Sequence, residues 1–126
     1  MITCKELENE VRRLSTAYPD AVYTNVGSAG CCYSRGLVYN GPEKCGCIFG
    51  QSLSNLGIDP AQFDDQIDFG YNKCALGIIK VMKNLGLNAS TEFEDWCEAV
   101  QGNQDSECTW SQSVLKADEV YGNDYF

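Results

Sequence analysis

Apolar residues recur at helical spacing in several parts of this chain, and these stripes constrain its fold more than any other feature. In the first stripe, Leu7, Val11 and Leu14 follow Thr3 and Glu6, which have the spacing of a capping box. The charged residues opposite this stripe are predicted to face solvent: Glu8, Glu10, Arg12 and Arg13. Further helices are predicted to start at Ile48, after Asp59, at Cys74, at Thr91 (ending at Gly102) and after Thr109.

Signals for β-strands are short and come early in the chain. Residues 21–26 predict one strand, and residues 31–35 are predicted to pair with residues 37–39 around Arg35-Gly36. The strands are too few for a sandwich, and the helices supply most of the candidate core. The overall prediction is an α+β fold, with about five helices packed around a small antiparallel hairpin or three-stranded sheet.

The chain has 126 residues, which is enough for one domain with its own core. We expect a single domain over residues 1–121 and a frayed tail over residues 122–126. No apolar run reaches the length of about 20 residues that crosses a bilayer. The first residues are charged and lack the apolar stretch of a secretory signal, so we expect a cytoplasmic protein that does not enter a membrane.

Charge is distributed unevenly along the chain. The net charge is −9, of which residues 1–63 contribute −1 and residues 64–126 contribute −8. Nucleic-acid affinity comes largely from Lys and Arg contacts to phosphate, so this balance argues against direct binding to DNA or RNA. A negative half favours encounter with a protein that has a basic surface. The alternative is that the charge serves solubility alone.

The chain contains eight cysteines and no histidine. The missing histidine removes Ser-His-Asp and Cys-His catalysis, together with every histidine-containing metal site. Four cysteines on or beside predicted helices are interpreted as small core residues: Cys4, Cys74, Cys97 and Cys108.

The remaining cysteines, Cys31, Cys32, Cys45 and Cys47, cluster around the predicted hairpin. They suggest a zinc-stabilised domain as one alternative, although neither C-C nor C-x-C is the usual zinc knuckle. A Cys32–Cys47 disulfide is a further alternative that a reducing cytosol opposes. Cys47 is also the best candidate for a reactive thiol in a cysteine-based enzyme or redox protein, because a helix begins beside it and Gln51 follows one turn later. The competing interpretation of Cys47 is a core residue, and no cofactor is predicted.

The preferred hypothesis is a binding protein that uses its acidic, aromatic C-terminal half. Aromatic residues are good interface anchors, and carboxylates complement a basic partner. The candidate partner-binding residues are Asp64, Asp65, Asp68, Tyr71, Glu92, Glu94, Asp95, Glu98, Tyr121, Tyr125 and Phe126. For Tyr71 and Tyr121 the alternative is a place in the core.

Two stretches carry a resemblance to a known group. The first is Cys32-Tyr33 followed by residues 47–53 and 56–58, and the second runs in pieces from Trp96 to Asp118. They resemble small uncharacterised proteins of actinobacteria and of the phages that infect them, which have no assigned activity. The resemblance covers most of residues 22–120, but residues 41–46 and 64–73 fit it poorly. It implies a phage or prophage context, in which a protein of this kind would bind a host or phage protein.

Overall fold

Helices make up most of the secondary structure in the computed structural model, which describes residues 2–24, 33–34, 36–64 and 77–121. The helices are α1 (Cys4–Ala17), α2 (Ile48–Asn55), α3 (Ala61–Asp64), α4 (Ile78–Asn84), α5 (Thr91–Asp105) and α6 (Trp110–Tyr121). Two strands, β1 (Val22–Thr24) and β2 (Leu37–Tyr39), form an antiparallel sheet. The predicted α+β fold, with several helices around a small hairpin, is confirmed.

Helix α1 begins as its capping box predicts. The Thr3 hydroxyl accepts a hydrogen bond from the Glu6 backbone N–H at 3.1 Å, and the Glu6 carboxylate accepts one from the Thr3 N–H at 2.9 Å. Its apolar stripe is buried, but so is Glu8, which is only 3% exposed. The prediction that Glu8 faces solvent is therefore wrong. Glu8 pairs with Arg12 of its own helix, and Arg12 is in turn held by Asp118 of α6, which the sequence of α1 does not reveal.

The sheet pairs strands that are distant in sequence. Tyr23 of β1 lies opposite Val38 of β2, and Val22 and Thr24 lie opposite Tyr39 and Leu37. The prediction that β2 pairs with residues 31–35 is wrong, because β2 pairs with β1 and residues 33–34 are not strand. The remainder of 31–35 lies outside the described residues. Pairing with β1 allows Tyr23, which is 2% exposed, to join the hydrophobic core.

Helix α2 packs directly on the backbone of Tyr33. A Cβ atom at Gly50, or at Gly46 just before the helix, would collide with the Tyr33 carbonyl oxygen. Gly46 also has a φ of 110°, which favours glycine. The Tyr33 ring is buried and meets Phe63 edge to face, with ring centroids 6.2 Å apart.

Helices α5 and α6 form an antiparallel hairpin joined by residues 106–109. The cap of α5 is Ser90 and not Thr91, because the Ser90 hydroxyl accepts the Phe93 N–H at 3.1 Å. The predicted end at Gly102 is also wrong: α5 continues to Asp105, and a Cβ at Gly102 would meet open space. The Thr109–Gln112 start of α6 is confirmed by reciprocal hydrogen bonds.

The described residues share one hydrophobic cluster, which includes Trp96 and Trp110, both fully buried. Helix α4 starts at Ile78 with Gly77 as its cap, whereas the predicted start at Cys74 lies outside the described residues. Asp59 accepts the Ala61 N–H at 3.0 Å ahead of α3, as its predicted capping role requires. In the part of the chain that the structure describes, no helix is long and apolar enough to span a bilayer.

Candidate functional site

The hairpin of α5 and α6 gathers carboxylates at one end. Because the two helices run antiparallel, the first turns of α5 lie beside the last turn of α6, and the Trp96 indole N–H donates to Asp118 Oδ1 at 2.9 Å across this end. We call this region the acidic end. It comprises the predicted residues Glu92, Glu94, Asp95, Glu98 and Tyr121, together with Glu119, which the sequence analysis did not single out.

The two helices of the hairpin contribute little positive charge to the acidic end. Helix α5 contains no Lys or Arg, and α6 contains only Lys116. Among the described residues, the ion pairs do not include any carboxylate of the acidic end. Glu92 and Glu98 are exposed, whereas Glu94 and Asp95 are half-buried. The negative charge is therefore available to a partner.

Part of this charge has a structural explanation. Glu92 and Glu94 lie in the first turn of α5, where the helix dipole stabilises negative side chains. That effect fades beyond the first turn, so it does not account for Asp95 and Glu98. Asp95 and Glu98 are therefore stronger indications of a binding surface than Glu92 and Glu94.

Tyr121 is the aromatic residue of the acidic end. It is the last residue of α6 and is 39% exposed, so it is not a core residue. Its ring offers apolar area beside the carboxylates, which is the composition of an interface anchor.

An ion-pair network stands beside the acidic end. The Arg12 guanidinium donates to both oxygens of Asp118, each at 2.9 Å, and also binds Glu8. The guanidinium lies over the Trp96 ring, 4.9 Å from its centroid. The hydrogen bonds to Asp118 raise the pKa of Arg12 above its already high value, so the side chain stays charged. Its charge is already neutralised and does not offset the acidic end.

The other predicted partner-binding residues fall where the structure gives no side-chain position. Asp64 is the last residue of α3, but its side chain lies outside the described residues. The same holds for Asp65, Asp68, Tyr71, Tyr125 and Phe126 as whole residues.

Cys47 stands at the start of α2, as predicted, and its side chain is fully buried. The first N–H of the helix, that of Ile48, donates to the Gln104 side-chain oxygen at 2.6 Å. The Gln51 amide donates to the backbone carbonyl of Gly46 at 3.1 Å. This geometry favours the core interpretation of Cys47, because a reactive thiol needs access to its substrate.

The cysteines do not assemble a metal site in the described part of the chain. Cys45 is exposed while Cys47 is buried, and Cys31 and Cys32 lie outside the described residues. Across residues 2–24, 33–34, 36–64 and 77–121, no three metal-ligating side chains come together.

The candidate core cysteines differ in burial. Cys97 is fully buried, and this burial raises the pKa of its thiol well above the ordinary value. Cys4 and Cys108 are only partly buried. Cys74 lies outside the described residues.

A groove between α1 and α6 was not foreseen from the sequence. It has a volume of about 400 Å³ and is lined by Ser15, Thr16, Pro19, Ser111, Val114, Leu115 and Asp118. Leu115 is 57% exposed. The sequence does contain a sign of this exposed leucine. Leu115 follows Val114 directly, so it falls outside the apolar stripe of α6.

No family model matches the chain, and no curated protein or solved structure matches it either. The chemistry of the chain's own residues is therefore the basis for inferring its function.

Proposed function

We propose that this chain is a small acidic phage accessory protein that acts by binding a host or phage protein. The partner presents a basic surface in the host cytoplasm. Occupying such a surface inhibits the partner and serves host takeover. The proposal includes no catalytic step, no cofactor and no direct contact with nucleic acid.

The observation that carries this proposal is the uncompensated charge of Asp95 and Glu98. Neither residue is paired with a cation among the described residues, and neither lies in the first turn, where the helix dipole would explain it. Complementary charge on a partner raises the association rate and rejects partners of the wrong sign. Phosphate backbones carry the wrong sign, which is why a protein is the favoured partner.

The aromatic side chain of Tyr121 supports the same conclusion. Complementary charge mainly raises the rate of association and does little to prolong the complex. An aromatic side chain that becomes buried at an interface slows dissociation. Tyr121 stands at the end of α6 with more than a third of its surface free. The acidic end thus offers both steering and anchoring.

Affinity capture from an actinobacterial host, followed by mass spectrometry, would name the partner. Its association kinetics should then be measured with Glu92→Lys/Glu98→Lys and with the control Glu43→Lys/Glu107→Lys. All four positions are exposed glutamates, and either pair moves the net charge from −9 to −5.

We expect the first pair to slow association by about tenfold or more at low salt and to flatten its salt dependence. The control pair should have a much smaller effect. Equal effects of the two pairs would show that only total charge counts, and would refute an interface at the acidic end. Reversal of Asp64, Asp65 and Asp68 tests the remaining predicted carboxylates in the same assay.

A further inference from the structure

The groove between α1 and α6 presents an apolar side chain in an acidic setting. Leu115 forms one wall with most of its surface exposed, and Pro19 and Val114 add apolar area. Ser15, Thr16 and Ser111 supply hydroxyl groups around it. A site with an apolar centre and a polar rim is the usual form of a pocket for an interface side chain.

The electrostatics of the groove favour a cationic occupant. Asp20 follows Pro19, and Glu119 lies one helical turn from Leu115, whereas the charge of Asp118 is already paired with Arg12. The neighbouring Lys116 donates to Cys108 Sγ at 3.4 Å. None of the described residues that line the groove is a Lys or Arg. The nearby guanidinium of Arg12 is held by Asp118 and Glu8.

We infer that this groove receives a leucine-like side chain from a segment of the basic partner in which that residue is flanked by Lys or Arg. The inference rests on the proposed function and specifies the chemistry of the partner. A second copy of this chain is the disfavoured occupant, because a net charge of −9 on both molecules opposes their association.

The groove and the acidic end belong to one surface. Glu119 is part of the acidic end and is also the carboxylate one turn from Leu115 on α6. A basic segment that follows α6 would therefore place its apolar residue in the groove and its remaining cations on the acidic end.

Two synthetic peptides of equal length and equal positive charge test the inference. In one, lysines alternate with serines, and in the other a leucine replaces the central serine. Binding to the full chain is measured by titration calorimetry at low salt. Leu115→Ser removes the apolar wall, and the matched control is Leu37→Ser, which changes a leucine of similar exposure on β2.

We expect the leucine peptide to bind about tenfold more tightly than the serine peptide, as burial of one leucine side chain implies. Leu115→Ser should abolish this difference, and Leu37→Ser should preserve it. Ser111→Lys, which introduces a cation into the groove, should weaken both peptides, because they carry the same positive charge.

The outcomes separate this inference from the proposed function. If both peptides bind equally, or if Leu115→Ser and Leu37→Ser have equal effects, the groove is not the site. The acidic end then stands as long as Glu92→Lys/Glu98→Lys weakens both peptides. If neither peptide binds the wild-type chain, the inference and the proposed function both fail.

Discussion

Arg12 of α1 and Asp118 of α6 are 106 positions apart in the sequence, and two hydrogen bonds of 2.9 Å join them side by side. Asp118 Oδ1 also accepts the Trp96 indole N–H, so one carboxylate ties together α1, α5 and α6. Bidentate pairing of this kind fixes orientation as well as charge. The same contacts satisfy the hydrogen-bonding groups of Arg12, Asp118 and Trp96 where the three helices pack.

A double-mutant cycle should find strong coupling between Arg12 and Asp118. The two side chains are 27% and 20% exposed, which weakens the pair relative to a fully buried one. We expect a coupling free energy of about 1–2 kcal/mol in urea unfolding of Arg12→Ala, Asp118→Ala and the double variant. The pair Arg13–Glu10 lies within one helix and its Arg13 side chain is 58% exposed, so it serves as the control and should give about 0.5 kcal/mol. Equal coupling in the two pairs would contradict the network.

Two Gly→Ala substitutions should have opposite effects on stability. Gly50→Ala places a methyl group against the Tyr33 carbonyl and should cost about 3 kcal/mol or more, because α2 must move away. Gly102→Ala faces open space inside α5 and should stabilise the chain by about 0.5–1 kcal/mol. Thermal unfolding of both variants measures this, and a neutral Gly50→Ala would show that α2 does not pack on that carbonyl.

Cys45 and Cys47 should differ sharply in their reaction with a thiol reagent, although one residue separates them. Cys45 is exposed and should be alkylated within minutes, whereas Cys47 should be protected until the chain unfolds. Peptide-resolved mass spectrometry after short labelling distinguishes the two. Cys97 should also be protected, because burial both shields its thiol and raises its pKa. Rapid labelling of Cys47 would instead favour the cysteine-based enzyme.

Gln104 should contribute to stability through a backbone group of a different helix. Gln104→Met leaves the buried Ile48 N–H without its acceptor and should cost about 1–3 kcal/mol. Gln112 is the matched control, since its side chain also accepts a backbone N–H but at an exposed position. Gln112→Met should cost less than about 1 kcal/mol, because water replaces the lost acceptor. Chemical unfolding of the two variants measures the free energies of unfolding. Equal losses in the two variants would contradict the buried role of Gln104.

Local signals were sufficient to predict several helix starts. The capping boxes at Thr3 and Thr109 involve residues three positions apart, so the sequence contains both partners of each hydrogen bond. Glu8 was misjudged because its burial depends on Arg12, which is in turn fixed by Asp118 from the other end of the chain. The pairing of β2 with β1 could not be predicted for a similar reason, since it depends on the core that receives Tyr23.

The negative charge of the candidate site was predictable from the sequence, but the shape of its surface was not. The sequence places the negative charge in the second half of the chain, but only the hairpin brings the last turn of α6, with Glu119 and Tyr121, to the end of α5 that contains Asp95. The groove beside Leu115 required the relative position of α1 and α6, which no periodicity within either helix specifies. Shape of this kind arises only when two distant segments pack.

The Arg12–Asp118 contact has a consequence for synthesis on the ribosome. At about 5–20 residues per second, Asp118 is made roughly 5–20 s after Arg12. During that interval α2 is already made and can pack on α1, but the principal charged partner of Arg12 does not yet exist. The nascent chain therefore passes through a period in which Arg12 is paired only within α1, and the contact that ties α1 to α5 and α6 forms only once α6 has been made.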